Sequence, residues 1–108
     1  MTTDLFIPII YKTVWRDLPG SLPSEIEVSG YAFETPGWPE VHACVQLGRR
    51  DSAMLFDEWI IDHFETGLAI TCDKPIHTME EAPYVLAAKL NKYGRPHVAE
   101  VLRRYGIT

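Results

Sequence analysis

The stretch 68–93, LAITCDKPIHTMEEAPYVLAAKLNKY, decides the fold, because the hydrophobic rhythm changes inside it. Before it, and as far as Cys72, apolar residues recur every second position, the mark of a half-buried strand. From Thr78 onward they recur every three or four. Ala82, Leu86, Leu90 and Tyr93 lie on one helical face. Thr78 and Glu81 stand at capping-box spacing, so a helix is predicted to start there. Pro83 lies slightly too deep for the first helical position, which predicts a late start or a distorted first turn. Gly94 is a natural stop. Pro96 then opens a second helix carrying Val98, Val101, Leu102 and Tyr105 at i, i+3, i+4 and i+7.

Outward toward the N-terminus, Glu58 to Phe64 and Leu68 to Cys72 read as a hairpin around Glu65-Thr66-Gly67, with Gly67 supplying the left-handed position. Val41, Ala43, Val45 and Leu47 point one way along a strand; His42, Cys44 and Gln46 point the other. Between these lies the polar loop Gly48 to Ser52. Glu25 to Glu34 alternates, with Ile26, Val28 and Ala32 on one face and Gly30 where a bulge would fit. Asp17 to Ser24 and Thr35 to Pro39 are turns. Leu5 to Tyr11 is apolar and β-branched but holds Pro8, so it is predicted as an edge strand or extended arm. Strands followed by helices give an α+β fold: a small antiparallel sheet of four to five strands over residues 5–72, with helices at about 79–93 and 96–105 packed on one face. The whole chain, 1–108, reads as a single domain.

Composition bounds the function classes. The chain has 108 residues, 46% of them hydrophobic and 23% charged. One domain of this size holds one core and leaves little room for a large substrate cavity. No basic-then-apolar leader precedes the first strand, and no apolar run is long enough to span a bilayer. Cys44 and Cys72 do not make a disulfide framework, so both are read as reduced and the chain as cytoplasmic, with no membrane partner. The net charge is −5. It is uneven: residues 1–88 carry −9 and residues 89–108 carry +4.

Motifs for chemistry are weak. His42, Cys44, His63, Cys72 and His77 could ligate a metal, but zinc sites usually present close ligand pairs, and neither CxxC nor HxxxH occurs. A Cys–His pair oriented by Asp62 or Asp73 has no supporting local sequence. Asp57 and Glu58 read as strand gatekeepers. Glu80 and Glu81 suit the first turn of a helix. Neither glycine-rich phosphate loop is present. The reading therefore leans away from an enzyme and implies neither cofactor nor metal.

Two binding surfaces remain. Trp15, Arg16, Tyr31, Phe33, Trp38, Arg49 and Arg50 combine the residue types that dominate interface hot spots. They make the leading expectation a non-enzymatic protein-binding module, a small regulator or inhibitor. Lys89, Lys92, Arg95, Arg103 and Arg104, with His97, form a basic helical corner, and nucleic-acid binding there is the alternative. A small metal- or thiol-dependent enzyme is the third reading. A second copy of the chain could also pair through the N-terminal edge.

Overall fold

Five strands follow one another in space as they do in sequence, so each pairs with its chain neighbour. The computed structural model describes residues 6–15, 24–48, 58–70, 72 and 76–106. The strands are β1 (Phe6–Trp15), β2 (Ser24–Thr35), β3 (Trp38–Gly48), β4 (Glu58–His63) and β5 (Ala69–Ile70). All neighbouring pairs are antiparallel. A 3₁₀ turn (Met79–Glu81) leads into α1 (Ala82–Tyr93), and α2 (Arg95–Arg104) follows at once. The chain is thus an α+β protein with its helices on the sheet.

The capping box forms. The Glu81 carboxylate accepts the Thr78 N–H at 2.7 Å. Pro83 explains the 3₁₀ turn: the α-helical ladder begins at Ala82, with proline in its first turn, where the missing N–H costs nothing.

Register settles the two sheet faces. Phe6, Phe33, Ala43 and His63 are successive cross-strand partners, as are Tyr31, Val45 and Ile61. This face meets the helices, and Phe33, Val45 and Ile61 join Ala82, Leu86, Leu90 and Val98 in one core. Burying each large aliphatic side chain there contributes about 1.5–3 kcal/mol. The other face carries Tyr11, Thr13, Cys44 and Asp62, all buried. Among the described residues no helix covers them. The sheet curls until its first strand meets its fourth, and that face closes on itself. The Val14 N–H donates to the Gly67 carbonyl at 2.8 Å, which joins β1 to the turn between β4 and β5.

Several expectations need correction. Gly30 does not mark a bulge: β1 and β2 stay in unbroken register from Phe6↔Phe33 to Trp15↔Ser24. The irregularity in β2 lies between Glu34 and Thr35. Leu47, Tyr93 and Tyr105 continue the apolar rhythms but are exposed, because the patterns outrun the surface that covers them. Phe33 and Trp38 are buried in the core.

Candidate functional site

Asp62 is the least expected residue of the fold: a carboxylate with no exposed surface, next to the last residue of β4. Its partners come from two other strands. The Tyr11 hydroxyl donates to Oδ2 at 2.8 Å, and the Gln46 amide donates to the same oxygen at 2.7 Å. The Thr13 hydroxyl lies 3.4 Å from Oδ1 and 3.0 Å from the Gly67 carbonyl, so one proton serves two acceptors. Burial pushes the Asp62 pKa up, against the pull of all three donors. Burial also raises the Tyr11 hydroxyl, with Asp62 adding to it.

Cys44 sits beside this cluster, and burial first, then Asp62, pushes its thiol up to about 11. A thiol that holds its proton at neutral pH is a poor nucleophile. The cluster is therefore a set of saturated hydrogen bonds closing the sheet, not an accessible acid, base or nucleophile.

The second cluster lies at the turn after β4. Glu65 is bonded to His42 Nδ1 and stands 3.4 Å from His63 Nε2 through its other oxygen. His63 Nδ1 pairs with the Thr66 hydroxyl at 2.9 Å. Burial lowers the His63 pKa, while Glu65 opposes that shift. Among the described residues no group of three or more His, Cys, Asp or Glu side chains could hold a metal ion. His42, Cys44, His63, Cys72 and His77 are thus not gathered into a metal centre. Asp57 and Asp73 lie outside the described residues, as does the side chain of Glu58.

Tyr31 is half-buried, and the buried Phe33 and Trp38 offer no side chain to a partner. The side chain of Trp15 and the residues Arg16, Arg49 and Arg50 lie outside the described residues.

The basic corner is largely occupied by local pairing. Arg95 lies over the Trp38 ring at 4.4 Å, bonds Glu40 and donates to the Gly37 carbonyl. Trp38 itself donates to Asn91 at 2.9 Å. Arg95 thus clasps the β2–β3 turn to the junction of the helices. Arg103 and Arg104 share Glu100. Lys89 and Lys92 lie on α1 and add positive charge there. An Arg95→Ala change is expected to cost about 1 kcal/mol, the worth of an exposed cation–π contact. Arg103→Ala should leave stability within about 0.5 kcal/mol. Thermal melts of the two variants check this.

Among the described residues no strand pairs with the outer edge of β1. Backbone groups alternate in direction along a strand. The Val14 N–H turns away from β2, toward Gly67. The unbroken register then turns the groups of Lys12, Ile10, Pro8 and Phe6 outward as well. Pro8 falls where its missing N–H takes nothing from the β1–β2 ladder. Ile7 and Ile10 are 62% and 67% exposed beside this edge. A groove of about 530 Å³ runs along it, lined by Pro8, Ile9, Ile10, Ser29, Gly30 and Tyr31. The sequence marked the edge through Pro8. It gave no sign of Glu65 between two histidines, nor of Tyr11 and Gln46 reaching Asp62.

Among the described residues no helix is long and apolar enough to cross a membrane. No protein-family model, curated protein or solved structure matches the chain.

Proposed function

We propose that this chain is a non-enzymatic binding protein, a small regulator or inhibitor that acts through a protein–protein surface, and that the surface is the outer edge of β1. The observation that carries the reading is the open edge itself, with Ile7 and Ile10 exposed along it. An extended segment of a partner protein would add as a further strand. Its main-chain bonds would supply affinity and the adjoining groove would select its side chains. Pro8 also sets the register. It can accept a bond but not donate one, so the incoming strand must place a group that needs no donor opposite it. The inaccessibility of Asp62 and the protonated state of Cys44 support a binding role over a catalytic one.

The basic corner is the weaker surface. Arg95, Arg103 and Arg104 are paired with carboxylates of this chain.

Ile10→Lys puts a charge in the middle of the edge, at a side chain that is already solvated. It is expected to leave thermal stability within about 0.5 kcal/mol of the native chain. A protein captured by the native chain should bind at least tenfold more weakly to this variant. Capture unaffected by Ile10→Lys, or turnover by the native chain in a hydrolase panel, overturns the reading. Sedimentation at micromolar concentration tells whether the added strand comes from a second copy.

A further inference from the structure

The turn between β4 and β5 does more than reverse the chain. Its Gly67 carbonyl accepts both the Val14 N–H at 2.8 Å and the Thr13 hydroxyl at 3.0 Å. That turn fastens the second half of β1 and ends its open edge. The fastening leaves no slack. A Cβ on Gly67 would lie 2.8 Å from the Lys12 carbonyl, and the residue sits at φ +70°.

Glu65 of the same turn joins His42 on β3 and His63 at the end of β4. His63 is bonded to the turn through its main chain at both ends, donating to Leu68 and accepting from Gly67. Its ring is buried, and Nε2 has no hydrogen-bond partner within normal reach. Among the described residues the charges acting on this ring are those of Glu65, in the turn, and His42, on β3. Glu34, on β2, is the cross-strand partner of His42.

We propose that the β4–β5 turn is an acid-sensitive latch on β1, with His63 as its sensor, and that its release lengthens the open edge of β1. The neutral ring fits the latch. With its proton on Nε2 facing Glu65, Nδ1 accepts from the Thr66 hydroxyl, which in turn accepts the Leu68 N–H at 3.2 Å. A second proton on the ring must go to Nδ1. The Thr66 hydroxyl then has to turn its own hydrogen away, and a full positive charge is buried against the sheet.

The opened turn hydrates the imidazolium, so protonation favours opening. Because the folded ring is the weaker base, the closed latch is fully favoured above an ordinary imidazole pKa of about 6.5. It loses ground as pH falls below that value toward the folded pKa. Opening releases the outward groups at Val14 and extends the edge beyond Lys12. The use of that longer edge rests on the proposed function; the latch itself does not.

The test is amide hydrogen exchange of Val14 in the isolated chain, corrected for intrinsic rates, with Val45 as the central-sheet reference. NMR titration of His63 accompanies it. From pH 7.5 to 5, Val14 opening should rise several-fold, and at most about thirtyfold, the ceiling for an imidazole of pKa about 6.5, while staying more frequent than Val45 opening. His63→Gln should abolish the rise. Glu65→Gln, which keeps His63, should lower the His63 midpoint and enlarge the rise.

A Val14 opening that does not rise from pH 7.5 to 5, or that is no more frequent than Val45 opening, overturns the latch, as does an equal rise in His63→Gln. A Glu65→Gln chain with an unchanged His63 midpoint overturns it too, and serves if His63→Gln does not fold. No partner enters these measurements, so their failure leaves the edge reading standing, and failure of Ile10→Lys to weaken capture leaves the latch standing.

Discussion

An Asp62→Ala chain is expected to lose about 3 kcal/mol of folding stability, the scale reached when several buried polar groups lose a partner together. Three donors converge on this carboxylate: Tyr11, Gln46 and, in part, Thr13. Tyr11 and Thr13 belong to β1, and β2 and β3 lie between them and Asp62. Removing the carboxylate therefore strands donors inside the sheet and loosens the closure of β1 on β4. A cavity adds to the cost. Against this, the alanine relieves the burial of the carboxylate itself, which is why the expected loss stays near the sum of three bonds despite the cavity.

Tyr11→Phe should cost about 1 kcal/mol, the usual worth of one hydrogen bond. Urea melts of both variants at pH 7 check the ranking. An Asp62→Ala chain as stable as the native one would show that the cluster contributes nothing to closure.

The pH dependence separates the charge from the bonds. Burial raises the folded pKa of Asp62 above its ordinary value of 3.8. The folded chain then holds this proton more tightly than the unfolded chain, so the stabilisation it brings is fully present below pH 3.8 and is lost as pH rises through the folded pKa. Asp62→Asn has no such proton. Over the range just above pH 3.8 the stability of the native chain should fall relative to Asp62→Asn as pH rises. A difference between the two that does not change with pH would mean that the folded and unfolded carboxylates titrate alike. His63 works in the opposite direction at higher pH, because its folded pKa lies below 6.5 and acid destabilises that form.

The parts of the fold that local sequence could reveal are those set by local chemistry. Thr78 and Glu81 are three residues apart, and the bond that fixes the helix start spans only those residues. The alternation of Val41, Ala43 and Val45 reports the helix-covered face because each strand obeys the same two-residue period. Gly67 stands in a turn whose length already demanded a left-handed residue.

The closed face was not legible for the same reason. Tyr11 and Asp62 are 51 positions apart. Whether a polar residue on the second face meets solvent or another strand depends on how far the sheet curls. Nothing in the local sequence around Asp62, between Ile61 and His63, marks a buried carboxylate, since an antiparallel strand commonly turns one face to water. The aromatic loops misled in the other direction. Trp38 stands between Gly37 and Pro39, in a context typical of an exposed turn, yet Asn91 and Arg95 from the helices fold over it. Arg95, one of the cations of the basic corner, is part of that clasp.

Gly30→Ala should be among the most damaging single-methyl changes available in this protein. Gly30 lies on β2, between Tyr11 on one side and the end of the β2–β3 ladder on the other. A Cβ there would lie 2.5 Å from the Val45 carbonyl and 2.9 Å from Tyr11 Cε1. The carbonyl belongs to the backbone of the central strand and cannot turn aside. The tyrosine ring crosses β2 above the glycine on its way to Asp62. Alanine must therefore push β2 from β3, or lift Tyr11 from Asp62, or both. Overpacking usually costs about 1–3 kcal/mol; with a backbone atom in the way and a buried bond at risk, about 3 kcal/mol or more is expected. The route of the damage can be read separately. If the added methyl acts by lifting the ring, adding Tyr11→Phe to the Gly30→Ala chain should cost much less than Tyr11→Phe costs in the native chain, because the hydroxyl bond is already gone. Full additivity of the two changes would place the damage at the Val45 carbonyl instead. A Gly30→Ala chain that melts within about 0.5 kcal/mol of the native one, the size of an ordinary surface effect, would mean that Tyr11 does not cross β2 in contact with Gly30, and the closure of the sheet through Asp62 would need another explanation.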